Sequence, residues 1–268
     1  MKPGIKEVWW MATGAALFLA VMLIVIHVQK GRTPAGQLAR QARRLELVNQ
    51  IRLSVESAAE AEKRAVMAIT DEDSQKFADK ARAETAKAEQ AHRELEKISK
   101  PGELDAFSKA FTELQRVDKE VLDLAVKNTN LKASALAFGP AAAAAKELSA
   151  ALQECEARVA VWRLVALLPP HIAEESDAKM EAMEAEMAQL DRQIQRSLDN
   201  EAAKTAYGKF SELRAQIIKL SRENTNVRSL TLSLTQKRNV TAACQDAWAA
   251  LQQAIQNEPM PGKAVSPR

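Results

Sequence analysis

Sliding the chain past itself by 96 positions lays Asn128-Thr129-Asn130 on Asn224-Thr225-Asn226 and keeps the neighbouring apolar positions in phase. Phe111 falls on Tyr207, Leu114 on Phe210, Val117 on Leu213, Val121 on Ile217, Leu124 on Leu220 and Leu136 on Leu232. Upstream, an offset of 99 pairs Leu53 with Leu152, Arg64 with Arg163, Val66 with Val165 and Ile69 with Leu168. A repeat that preserves core positions means that the same apolar face is buried twice. Any fold for this chain must therefore solve one packing problem in two places.

The pattern inside each repeat is helical. Val48, Ile51, Val55, Ala58, Ala61, Ala65 and Ile69 recur three or four apart, and so do Phe77, Ala81, Thr85, Ala88, Ala91, Leu95 and Ile98, with Thr85 the one polar member. Only 4% of the residues are aromatic and eight are Gly, which disfavours sheets with their aromatic, β-branched strands and glycine turns. Thr33-Pro34 reads as a cap followed by proline at the first helical position, and the helix it opens runs to about residue 69. Thr70 and Asp73 restart the chain, and Ser99-Lys100-Pro101-Gly102 ends the second helix. A third helix from about residue 103 carries Phe107, Phe111, Leu114, Val117, Val121 and Leu124 inward.

A fourth helix begins at the first Asn-Thr-Asn, kinks near Gly139-Pro140 and continues towards residue 168, where Pro169-Pro170 closes it. Helices over 172–198, 201–223 and 227–257 follow. Short connections make neighbours antiparallel. The expected fold is all-α: a transmembrane helix, then two tandem up-and-down four-helix-bundle repeats, 34–140 and 141–257, sharing the long fourth helix, with 258–268 a disordered tail. The triplets Asn128, Thr129, Asn130 and Asn224, Thr225, Asn226 are expected at hairpin tips, Asn ending one helix in a left-handed turn and Thr or Asn capping the next.

Residues 8–28, after a short flank of 1–7, contain no Asp, Glu, Lys or Arg. At about 1.5 Å per residue they cover roughly the 30 Å hydrocarbon core of a bilayer. Trp9 and Trp10 stand at one end as interface anchors, and Lys30 and Arg32 stop the other. A cleaved signal peptide would have a shorter apolar region and a small-x-small site, so the segment reads as an uncleaved single-span anchor. Lys2 and Lys6 precede it, while Lys30, Arg32, Arg40, Arg43 and Arg44 follow, so a positive-inside count puts the larger part in the cytoplasm.

An apolar span leading straight into a long amphipathic helix, the segment AVMAITDEDSQKFADKARA (65–83) and the hairpin LAVKNTNLKASALAFGPAAAA (124–144) resemble the four-helix-bundle sensor domains of methyl-accepting chemotaxis receptors. SRENTNVRSLTLSLTQKR (221–238) extends the likeness into the second repeat. The resemblance implies a periplasmic bundle on the inner membrane that dimerises or engages a membrane-protein partner and answers a small-molecule ligand. Against that family's pattern, no second span, coupling domain or cytoplasmic coiled coil follows residue 257. The implied protein is a single-span relative without the signalling part.

Catalytic motifs are missing: His27, His92 and His171 sit in no H-E-x-x-H, and there is no phosphate loop or G-x-S-x-G. No cofactor is expected. A net charge of +3, with no basic stripe interleaved with aromatics, calls for no nucleic acid. His171 with Glu174 and Glu175 has the spacing of a helix-start metal site, but acids in a first turn are common for electrostatic reasons, and no metal is expected. Met180, Met183 and Met187 continue an apolar stripe. Arg64 and Arg163, which the repeat retains, are the candidate ligand-binding residues, because a guanidinium can clamp a carboxylate in two-pronged fashion; the alternative is an exposed arginine covering apolar surface. Cys155 and Cys244 can form at most one bridge. Two functions fit: a membrane-anchored sensory bundle, or a non-catalytic tethered scaffold whose seams are dry and continuous.

Overall fold

The computed structural model describes residues 34–259, and every regular element among them is helical. The anchor segment with Trp9, Trp10, Lys30 and Arg32, and most of the tail, lie outside the described residues. Among the described residues no helix is long and apolar enough to cross a membrane. The elements are α1 (Pro34–Val66), α2 (Asp71–Ile98), α3 (Asp105–Ala125), α4 (Thr129–Leu136), a π turn (Ala137–Ala141), α5 (Ala142–Ala151), α6 (Cys155–Ala173), α7 (Asp177–Gln195), α8 (Glu201–Glu223), α9 (Thr225–Leu232), a second π turn (Ser233–Lys237) and α10 (Arg238–Gln256).

Local chemistry sets the boundaries. Thr70 Oγ1 accepts from the Asp73 amide at 3.1 Å, and Asp71, Glu72 and Asp73 place negative charge at the start of α2. At the far end of α2, Ser99 Oγ donates to the Leu95 carbonyl, and Gly102 takes φ +78°, a conformation that other residues rarely adopt. Asn200 caps α8 by accepting from the Ala203 amide at 2.8 Å.

The fourth helix is not one long rod. It stops at Ala151, and Leu152 and Glu154 are extended (ψ 135° and 129°) before α6 begins. Neither Gly nor Pro marks the break. The turn after α7 accommodates it: Asn200 Nδ2 donates to the Ala151 carbonyl at 3.1 Å and Ser197 Oγ to the Glu154 carboxylate at 2.7 Å. Leu152 turns into the core. Nor do the prolines close a helix, since Pro169 and Pro170 both lie inside α6. Their missing N–H groups leave the carbonyls of Val165 and Ala166 without the usual ladder donor. Pro169→Ala is therefore expected to raise the melting midpoint of the full chain, by about 1–3 kcal/mol of stability.

The π turns lie 96 positions apart, as do the helices before them. Pro140 sits in the first and Gln236 in the matching place of the second, so the wide turn belongs to the repeat and is not caused by proline.

The described helices form two compact units. The smaller contains 34–54, 87–109 and 245–259. Its core is Leu47, Val48, Ile51, Ala88, Ala91, Leu95, Leu104, Phe107, Trp248, Leu251 and Ile255. Phe107 meets Trp248 at 6.3 Å between ring centroids, and the Arg52 guanidinium lies 5.8 Å from the Trp248 ring. The buried Arg44 pairs with Glu103 and, at 3.0 Å, with Glu258.

The larger unit comprises Val55–Ala86 and Ala110–Cys244. The expected repeat boundary near residue 140 lies inside it. The continuous stretch from α4 to α8 makes one set of packed helices around Leu148, Leu164, Leu168, Met187, Ile194, Phe210 and Ile217. Met180 and Met187 are buried members of that side of α7, and Met183 is half-buried. A second set joins the ends of α1 and α2 to α3 through Ala61, Ala65, Ala78, Ala81 and Leu122. Ser74 Oγ donates there to the carbonyls of Ala65 and Ala125. The chain leaves this set after α3, completes α4–α8, and returns through α9.

Candidate functional site

Both crossings run through the repeated triplets. Asn128 and Asn224 are left-handed (φ 51° and 50°), a conformation that asparagine tolerates better than most residues. Neither side chain caps the helix that follows it. Capping is exchanged instead. The Thr129 amide donates to Thr225 Oγ1 at 3.2 Å, and the Thr225 amide returns a bond to Thr129 Oγ1 at 3.1 Å. Likewise the Asn130 amide donates to Asn226 Oδ1, and the Asn226 amide to Asn130 Oδ1, both at 3.1 Å. The free N–H groups that begin α4 are thus satisfied by side chains of α9, and the reverse.

Further bonds fix the asparagines. Asn130 Nδ2 donates to the Ile172 carbonyl at 2.6 Å and to Asn224 Oδ1 at 2.7 Å. Asn226 Nδ2 donates to Asn128 Oδ1, Asn128 Nδ2 to Asp71, and Asn224 Nδ2 to the Glu174 carbonyl. The result is a clasp with approximate two-fold symmetry, buried except for the flank of Asn226.

Beyond the second crossing lies a cluster of buried charge. Lys237, the last residue of the second π turn, pairs with Glu62 of α1 at 2.5 Å and with Asp118 of α3. All three residues are less than 9% exposed, and Ser233 Oγ donates to Glu62 at 3.3 Å. Burial pushes the Glu62 carboxyl up to about 7, against the pull of Lys237 and with the help of the neighbouring Asp118. Asp118 is raised for the same first reason, with Lys237 opposing. Burial acts to lower Lys237, but Asp118 and Glu62 outweigh it and the ammonium is raised.

The repeat-equivalent positions show that the fold does not require a polar group in place of Glu62, Ser233 or Lys237. At the offset of 99, Glu62 corresponds to Val161; at 96, Lys237 corresponds to Ala141 and Ser233 to Ala137. Those three are buried in an apolar core. Asp118 corresponds to Arg214, which makes a part-buried pair with Asp191 at 2.6 Å. One copy of the seam is apolar at three of these four places, while its twin buries two carboxyls and one ammonium. Apolar replacement of buried ions is commonly neutral or stabilising, so stability does not explain the cluster.

The sequence-derived candidates are placed differently. Arg64 is exposed, pairs with Glu60 at 3.0 Å and lies 5.7 Å from the Phe77 ring centre. Arg163, also exposed, pairs with Glu186 at 3.1 Å beside a shallow groove lined by Cys155, Val159 and Leu190. Neither points into a bundle core, and the two do not converge. His171 does not join Glu174 and Glu175: its ring nitrogens contact Ser221 Oγ and Glu184 Oε1, each at 2.8 Å, and Arg222 also holds Glu184. The Glu174 carboxylate accepts from the amides of Glu175 and Ser176. Cys155 is exposed and Cys244 buried, and both are free. Burial and then Asp118 push the Cys244 thiol up to about 11, so it is unreactive at neutral pH.

Searches of family models, curated proteins and solved structures find nothing that matches this chain.

Proposed function

We propose that the chain is a membrane-anchored sensory bundle, held by residues 8–28 as a single span in the inner membrane with its helices in the periplasm. It acts by changing helix position within the larger unit, as a dimer or against a membrane partner, and catalyses no reaction. The resemblance to chemoreceptor sensor domains supports this, as does the apolar length of the anchor segment. The observation that carries it is the buried Glu62–Asp118–Lys237 cluster opposite its mostly apolar counterpart. A passive spacer gains nothing from burying two carboxyls with a single ammonium where its other copy is mostly apolar. A two-state element gains a group whose charge decides how tightly the seam closes.

The test has two arms. Carbonate extraction and protease protection, with and without permeabilised outer membranes, locate the chain; protection that persists after the outer membrane is opened removes the periplasmic placement. Spin labels replacing the exposed Lys63 and Asn239, with Cys155→Ser, report the α1–α10 distance in the full chain across a small-metabolite and pH screen. An altered distance is expected under at least one condition. A constant distance under every condition favours the scaffold reading, to which the exposed Phe138 and Leu234, equivalent across the repeat and 70% and 63% exposed, would then contribute.

A further inference from the structure

Resting on that sensory reading, we propose that Glu62, Asp118 and Lys237 form a proton-operated latch: one proton shared by the two carboxyl groups holds the seam of α1, α3 and α10 shut, and its release opens it. The argument is a count of charges. One ammonium balances one carboxylate. Glu62 and Asp118 both reach that same ammonium and are buried beside each other, and two carboxylates sharing a site disfavour ionising together, so one of them keeps a proton. With that proton the triad is neutral. Without it, the seam encloses one unbalanced negative charge, which a buried site accommodates poorly.

Among the described residues, Lys237 is the one cation that acts on the two carboxyls. The second π turn brings Lys237 and the Ser233 hydroxyl, α10 brings the neutral Cys244 thiol near Asp118, and α2 presents Ala78 and Ala81 to the seam. The upward displacement of Glu62 to about 7 places release in the neutral range. Lys237 closes the π turn, which holds an extra residue compared with an α turn. Relaxing that turn to α geometry would advance and rotate the rest of α10 by one residue, about 1.5 Å and about 100°. Loss of the proton is thereby converted into movement of a helix.

Hydrogen–deuterium exchange of the full chain in nanodiscs, from about pH 5.5 to about pH 8.5 and corrected for intrinsic rates, reads the seam directly. Segments 58–66, 114–122 and 233–241 are expected to lose about tenfold or more in protection, with a midpoint near 7. Segment 157–165, in the mostly apolar counterpart, provides the internal control and is expected to hold constant. Glu62→Gln, which keeps a neutral hydrogen-bonding group, should retain at high pH the protection that the parent shows at low pH; Asp118→Asn is the second variant and should do the same. A flat parent profile overturns the latch, as does an equal loss in both variants or in 157–165. If the profile is flat while a metabolite changes the α1–α10 distance, the latch fails and the sensory reading stands. If the seam titrates but that distance never changes, both fall.

Discussion

Lys237→Met should cost the full chain about 3–5 kcal/mol at pH 8, the range for removing one partner of a buried ion pair. The side chain is nearly isosteric, so the loss comes from Glu62 and Asp118 facing each other without a cation rather than from a cavity. The penalty should shrink in acid, where both carboxyls are protonated. Replacing all three, as Glu62→Leu, Asp118→Leu and Lys237→Met, should recover most of the parental stability, because Val161 and Ala141 already fill the equivalent places in the other repeat. Melting midpoints of the four proteins at two pH values decide the matter; a triple variant no better than Lys237→Met would show that the ions are structural. The parent carries a linked signature. Glu62 is raised in the folded state, so its contribution to stability is complete below about 4.5 and is lost as pH rises through about 7, a difference of about 3 kcal/mol. Glu62→Gln should flatten stability over that window and be the more stable protein above it.

Asn130→Ala should destabilise the chain by about 2–4 kcal/mol, a large effect for one polar side chain. Its amide group serves the Ile172 carbonyl and Asn224, and its oxygen receives the Asn226 amide, so truncation leaves several buried groups without partners. Asn226→Ala should cost less, since the Asn226 side-chain amide donates to Asn128 whereas that of Asn130 serves two acceptors. The two residues cap each other's helices, and a double-mutant cycle should return a coupling of about 1 kcal/mol or more. Denaturant midpoints measure all three variants; additive losses would mean that the clasp is a set of independent caps. Arg64→Ala, at an exposed pair, should change stability by less than about 0.5 kcal/mol.

Helices and their repetition could be read from the sequence because both depend on local spacing: Ala58, Ala61 and Ala65 are as regular in the chain as in the packed seam. The break at Leu152–Glu154 could not, since residues 197–200 stabilise it from elsewhere in the sequence. Pro169-Pro170 misleads because a helix held by core contacts at Leu164, Leu168 and Ile172 continues past missing ladder bonds. The triplets advertise capping chemistry, but not that each caps the other's helix. The charge cluster was the least visible feature, as Glu62 and Lys237 are 175 positions apart and each resembles an ordinary surface ion. One signal was available: at repeat-equivalent positions, Val161 and Ala141 are apolar, which marks both charged residues as occupants of an inward face.

The side-by-side crossings have a genetic consequence. Thr129 and Thr225 touch through their hydroxyls at 3.1 Å, so everything between them starts and finishes at one spot. A stretch with adjoining ends can be excised, duplicated or traded for an unrelated cassette by recombination, while the flanking helices are asked only to bridge a gap of a few ångströms. Descendants of this architecture should vary most in what is mounted at that spot and least in the rods that carry it.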